Sequence, residues 1–177
     1  VRNDGTALSL TFMKEQEFIG WTHSTTALGD FKSVATVTEE VDDLGRVDAV
    51  YFVVERVING NTVKYIERMA ERIFPNGAED AWCVDAGLQY DGAPATSFTG
   101  GEHLAGATVT GLADGLVITP FVMATNGNFT LATAASKVTV GLAYNCDLQT
   151  LALDMGEPTV QGKDKKIIDV VVRVADT

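Results

Sequence analysis

The sequence predicts an all-β protein: an antiparallel meander of propeller-blade-like or sandwich type, followed by a small β-barrel or sandwich. Three observations lead there. Asn-Gly and Asp-Gly pairs recur along the chain, short alternating or β-branched apolar runs lie between them, and only one segment carries a helical period.

The turn pairs are Asp4-Gly5, Asn59-Gly60, Asn76-Gly77, Asp91-Gly92, Asp114-Gly115 and Asn126-Gly127. A type I′ hairpin turn needs positive φ at both central residues, which Asn, Asp and Gly tolerate and β-branched residues resist. Around Asn59-Gly60 the flanks fit best. Residues 49–58 are rich in Val, Tyr and Phe, and residues 62–66 resume the same pattern. Upstream, Leu8, Leu10 and Phe12 alternate with Ser9 and Thr11, and residues 18–23 and 31–37 read as two further strands. Their connections are polar: Lys14-Glu15-Gln16, then residues 24–30, then the acidic stretch 39–48.

Residues 66–74 allow two readings. Ile66, Met69, Ala70 and Ile73 have the spacing of one helix face, with Pro75 and Asn76-Gly77 as a stop, so 68–74 reads as a short helix. Alternatively the strand continues through Glu67 and 70–82 is a loop.

From 85 to 154 the composition shifts toward Gly, Ala and Thr, with turn signals at sandwich-like spacing. Strands are expected at 108–112, 116–123, 128–131, 137–142 and 149–153. Pro120 places the second of these at an edge or a bulge, because proline cannot donate to the ladder. Finally, Ile168, Val170, Val172 and Val174 alternate with Asp169, Val171 and Arg173, a strand with one apolar face that follows a linker-like stretch at 158–166. The expected organisation is one sheet unit from 1–82 with 157–177, and a small barrel or sandwich at 83–156. Val1 in place of methionine, with a strand already under way at 6–13, suggests a piece of a longer polypeptide, the first unit being part of a larger domain.

Composition limits the function classes. At 177 residues and 46% hydrophobic content the chain can build a core. Its 13 Lys and Arg against 24 Asp and Glu give a net charge of −11, which disfavours a sequence-independent grip on nucleic acid. A wall of that sign would let DNA slide past it. No apolar run approaches the ~20 residues of a membrane span, so a soluble protein is expected. Cys83 and Cys146 lack a C-x-x-C spacing and read as buried free thiols, with a single disulfide left open.

The search for chemistry yields no catalytic, cofactor or metal residues. His23 and His103 are the only histidines and neither has a nucleophile motif around it. The stretch Gly100-Gly101-Glu102-His103-Leu104-Ala105-Gly106 lacks the lysine of a phosphate cradle and reads as a loop with one helical turn. Glu39, Glu40, Asp42 and Asp43 offer oxygen ligands but not an EF-hand spacing, and read as a solvated turn. Asn128-Phe129-Thr130 matches a glycosylation triplet, which matters only in a secreted eukaryotic protein. Trp21 and Trp82 are too few for a stacking ladder, and Trp21 reads as a sheet-packing residue.

Two blocks resemble a known family. The first runs through Asp4-Gly5-Thr6, Leu10-Thr11-Phe12, Glu15-Gln16-Glu17, Gly20-Trp21-Thr22-His23, Phe31, Ser33-Val34, Ala49-Val50-Tyr51-Phe52-Val53-Val54 and the run from Ile58 to Arg68. It is similar to the tail nozzle, or tail tubular protein B-like, proteins of short-tailed bacteriophages. The second comprises Asp85-Ala86-Gly87-Leu88, Tyr90-Asp91-Gly92, Pro94-Ala95-Thr96, Gly106, Val109, Ala113-Asp114-Gly115, Ala135-Ser136-Lys137-Val138, Val140-Gly141-Leu142-Ala143-Tyr144 and Thr150-Leu151. It resembles the downstream domain of the same proteins, sometimes labelled after a half-domain of a ubiquitin-activating enzyme. That label does not make Cys83 or Cys146 an accepting thiol, since the chain has no ATP-binding loop. The resemblance implies a structural virion protein, made in the bacterial cytoplasm, that joins other tail proteins in a ring of identical subunits and extends the DNA-ejection conduit. A second reading is a β-rich module that docks a tail fibre, a phage partner or a host-surface glycan. A third, an envelope hydrolase, requires converging carboxylates.

Overall fold

A computed structural model describes residues 1–41, 45–71, 73–149 and the single positions 164, 166, 168, 169 and 171. By compactness the chain divides into Val1–Tyr144 and Asn145–Thr177. The first unit is all-β, as the turn pairs and apolar alternation predict. Its described residues form nine strands: β1 (Ala7–Met13), β2 (Phe18–Ser24), β3 (Gly29–Val41), β4 (Gly45–Ile58), β5 (Asn61–Arg68), β6 (Asp85–Phe98), β7 (Thr108–Ala113), β8 (Leu116–Val122) and β9 (Phe129–Leu142). They form three antiparallel sheets, ordered β1-β2, β3-β4-β5 and β6-β9-β7-β8, none of them closed. In the second unit the described positions 145–149, 164, 166, 168, 169 and 171 have no regular structure. The expected strand at 149–153 falls, apart from its first residue, outside the described residues. So do most of the one at 168–174 and its return to the first sheet.

Two turn pairs make the hairpins their chemistry predicts. Asn59 and Gly60 have φ of 48° and 76° and join β4 to β5, with Ile58 opposite Asn61. Asp114 and Gly115 have φ of 48° and 78° and join β7 to β8, with Ala113 opposite Leu116. The other pairs do different work. Asn76-Gly77 opens a 3-10 turn over Gly77–Asp80, and Asp91-Gly92 lies inside β6.

The meander is β3-β4-β5, while β1 and β2 form a ribbon of their own. The break falls where the β2–β3 link bonds to side chains in place of a ladder. Asp85 Oδ2 accepts from the Thr26 hydroxyl at 3.0 Å and the Ala27 N–H at 3.1 Å, and Arg56 Nη1 donates to the Ala27 carbonyl. The acidic stretch expected as a connection is mostly strand: β3 runs to Val41 and β4 starts at Gly45. Between the two readings of 66–74, the strand wins. β5 extends to Arg68, and no helix occurs among the described residues of 69–76. The apolar period there arises from a strand end and a loop.

β6 was not among the expected strands: it contains Gly87, Gly92 and Pro94, and Asp91-Gly92 was expected as a tight turn. It is an edge strand, paired to β9 alone, and register shifts at Asp85/Leu88, Asp91/Ala95 and Ala95/Ser97 absorb those residues. Pro120 behaves as predicted: it lies on the edge strand β8, where the register with β7 shifts between Val109 and Gly111. Gly111 itself is required, since a Cβ there would overlap the Thr139 carbonyl oxygen of β9.

The four-stranded sheet curls over its own core of Phe98, Leu104, Val109, Met123, Phe129 and Val140, with further aliphatic residues around them. Phe98 stacks on its cross-strand partner Phe129 at 5.0 Å, and Phe121 of β8 meets Phe129 of β9 at 5.4 Å, a contact between strands that are not ladder neighbours, which marks the curl. The expected loop at 100–106 carries its one helical turn at Glu102–Leu104, which drives Leu104 into this core.

Polar staples hold the curl from outside. Asp114 Oδ1 accepts from the Lys137 N–H at 2.8 Å, and Lys137 Nζ pairs with Asp80. The Asp80 carboxyl is held below its ordinary value, chiefly by that ammonium and then by the Asn76 N–H. Lys137 is held above its own. A depressed carboxyl stabilises the fold above its unfolded value of 3.8 and loses that contribution as pH falls through its folded value. A raised ammonium stabilises below 10.5 and loses its share as pH rises through its folded value. Between these limits Asp80→Asn is therefore expected to lower the urea midpoint. The deficit should shrink as pH falls through the folded value of Asp80, and one that did not change with pH would mean the contact is not ionic.

Candidate functional site

The feature that stands out chemically is the β1-β2 ribbon. Cross-strand partners share a face, so its register sorts the side chains. On one face lie Leu8 with His23, Leu10 with Trp21 and Phe12 with Ile19. On the other lie Ser9 with Thr22 and Thr11 with Gly20, ending at the tip in Met13 with Phe18. The tip is a 3-10 turn at Lys14–Gln16 closed by Glu17 with φ of 50°.

The apolar face is uncovered. Trp21 is 67% exposed, Ile19 64%, Phe12 61%, Leu10 49% and Leu8 46%. Sequence reasoning placed Trp21 in sheet packing, and the structure corrects this. A two-stranded ribbon has no further strand to lie against, and β1 and β2 make their main contacts with each other. The alternation was legible in the sequence; whether anything lay over it was not.

The other candidate residues disperse. His23 sits exposed at the base of the ribbon, whereas His103 is bonded through Nε2 to the Ala86 carbonyl at 2.8 Å and meets Tyr65 edge-on at 6.2 Å. Cys83 and Cys146 are free and exposed, not buried. Cys83 lies exposed between the buried Ala81 and Val84, in the irregular segment that precedes β6. Trp82 is half-buried, its ring lying where a Cβ on Gly87 would go, and Asn128 is exposed in the loop before β9.

Of the acidic cluster, Glu39 is engaged by Tyr51 and by Arg68 Nε at 2.9 Å, while Glu40 is exposed. Asp42 and Asp43 lie outside the described residues. The Tyr51 hydroxyl and then the Arg68 guanidinium hold the Glu39 carboxyl below its ordinary value, and Glu39 raises the Tyr51 phenol. Arg68 also reaches Glu71 at 2.7 Å, so this corner of the β3-β4-β5 sheet is a surface ion network. Among the described residues no three His, Cys, Asp or Glu converge as a metal would need. A cleft of about 150 Å³ between Tyr90, Ser97, Phe98 and Phe129 has no acid or base in its lining. No described helix is long and apolar enough to cross a membrane.

The described residues thus define an all-β chain of open antiparallel sheets with one uncovered amphipathic ribbon. No protein-family model matches the sequence, and no curated protein matches it.

Proposed function

We propose that the chain is a structural component of the tail nozzle or tube of a short-tailed bacteriophage. In this reading it performs no chemistry of its own and forms part of the DNA-ejection conduit, in a ring of identical subunits that joins other tail proteins. It is made in the bacterial cytoplasm and works in the virion. The observation that carries the reading is the order and spacing of the two resembling sequence blocks, which together cover most of the chain. The net charge of −11 suits a channel wall that does not retain DNA. An apolar ribbon face left open within one chain suits a protein that works by assembly.

One observation favours the second reading, a module docking a fibre, a phage partner or a host glycan: the open indole of Trp21 is a ready platform for a sugar ring or an apolar side chain. Electron microscopy of the full polypeptide with its tail neighbours separates the two. A cyclic ring around a central channel is the expected image. A peripheral monomer attached to fibres would overturn the conduit.

A further inference from the structure

We infer that the apolar face of the β1-β2 ribbon is an arm that packs against a neighbouring copy of this same chain, an inference that rests on the ring reading above. A two-residue period that puts five large apolar side chains on one face, with only Met13 and Phe18 at the tip on the other, is what burial specifies; a ribbon that lived in water would not need it. An isolated two-stranded ribbon is only marginally stable in water, so something outside its own sheet must contribute.

Size and charge point to a second copy. Leu8, Leu10, Phe12, Ile19 and Trp21 expose roughly 600 Å², taking about 150–250 Å² for a large side chain when fully open. That is at the top of what a monomer leaves bare and close to the ~800 Å² that each partner contributes to a stable interface. Two aromatic rings lie among them, the residue type that anchors interfaces. Like copies carrying −11 each repel one another, and the ribbon is a segment where that repulsion is weak. Residues 1–28 hold two cations, Arg2 and Lys14, against three carboxylates, Asp4, Glu15 and Glu17, and the apolar face has no carboxylate, lysine or arginine. A basic partner would be drawn to the acidic remainder instead. An arm laid on a different surface of the next copy also propagates, as a ring requires.

The test uses the full polypeptide, followed by sedimentation and native mass spectrometry. Phe12→Ser with Trp21→Ser is expected to weaken self-association at least about tenfold, with the urea midpoint, read at a concentration where both proteins are dissociated, unchanged because both side chains are exposed in the single chain. Thr22→Ala, on the polar face, should associate like the parent. A photoreactive phenylalanine analogue at position 21 is expected to form adducts between copies of this chain. If rings assemble unchanged in the double variant, the arm is wrong and the ring reading stands. If the parent does not self-associate, both fall. Adducts formed only with other polypeptides would overturn the arm alone.

Discussion

Replacing Arg56 with alanine is expected to cost the fold about 3–5 kcal/mol, read as a lowered midpoint in urea unfolding. Arg56 lies on the inward face of β4 with Val54 and Ile58, and its side chain is 1% exposed. It is fully engaged. Nε reaches Glu67 Oε1 at 2.7 Å, Nη2 reaches Oε2 at 2.6 Å, and Nη1 donates to the Ala27 carbonyl. Truncation removes a bidentate pair, strips the partner from that carbonyl and opens a cavity. Glu67 keeps some access to water, which draws the cost toward the lower end of the range. Because an unpaired buried charge is worse than none, Arg56→Met with Glu67→Met should be less destabilised than the sum of the two single variants. A loss below about 1 kcal/mol for Arg56→Ala would show that the pair does not hold the β2–β3 link to the meander.

Leu104→Ala is expected to cost about 2–5 kcal/mol by the same measurement. The side chain has no exposed surface, and its turn is tied at both ends, Leu104 N–H to the Gly101 carbonyl at 2.9 Å and Ala107 N–H to the Leu104 carbonyl at 3.0 Å. With Phe98, Met123 and Phe129 around it, the site cannot collapse without moving the stacked rings. Leu116→Ala is the control. That residue is 75% exposed at the β7–β8 turn, and its loss should stay within about 0.5 kcal/mol. Equal effects at the two positions would mean that the turn at Glu102–Leu104 is not seated in the core.

How much of this was readable in advance differs from element to element. The hairpins at Asn59-Gly60 and Asp114-Gly115 were legible because a two-residue I′ turn is specified locally, by residues that tolerate positive φ. Pro120 announced its edge strand for an equally local reason, a missing donor. β6 was hidden by the same logic. Glycine and proline break a central strand, but an edge strand absorbs them in bulges, and only its partner β9 reveals that it is an edge. β9 was read as two strands around its small residues 132–136. In the structure Ala135 pairs with Ala95 and the strand runs through. Cys83 was misplaced inside because a free cysteine is usually buried, whereas here it sits exposed in the irregular segment before β6.

The candidate surface divides in the same way. Leu8, Leu10 and Phe12 on one strand and Ile19 and Trp21 on the next declare an amphipathic ribbon from spacing alone. Nothing in that spacing says whether the apolar side meets a sheet, another chain or water. By itself, then, the sequence determined the all-β class, the two tight hairpins, the edge position of β8 and the two faces of the ribbon, since each follows from backbone preference or a period of two. Only the tertiary structure decided that β2 leaves the meander, that Arg56 is buried against Glu67, that Leu104 plugs the curled sheet and that Trp21 stands open. Those outcomes depend on which distant strand lies opposite, a matter of long-range packing that no local preference encodes.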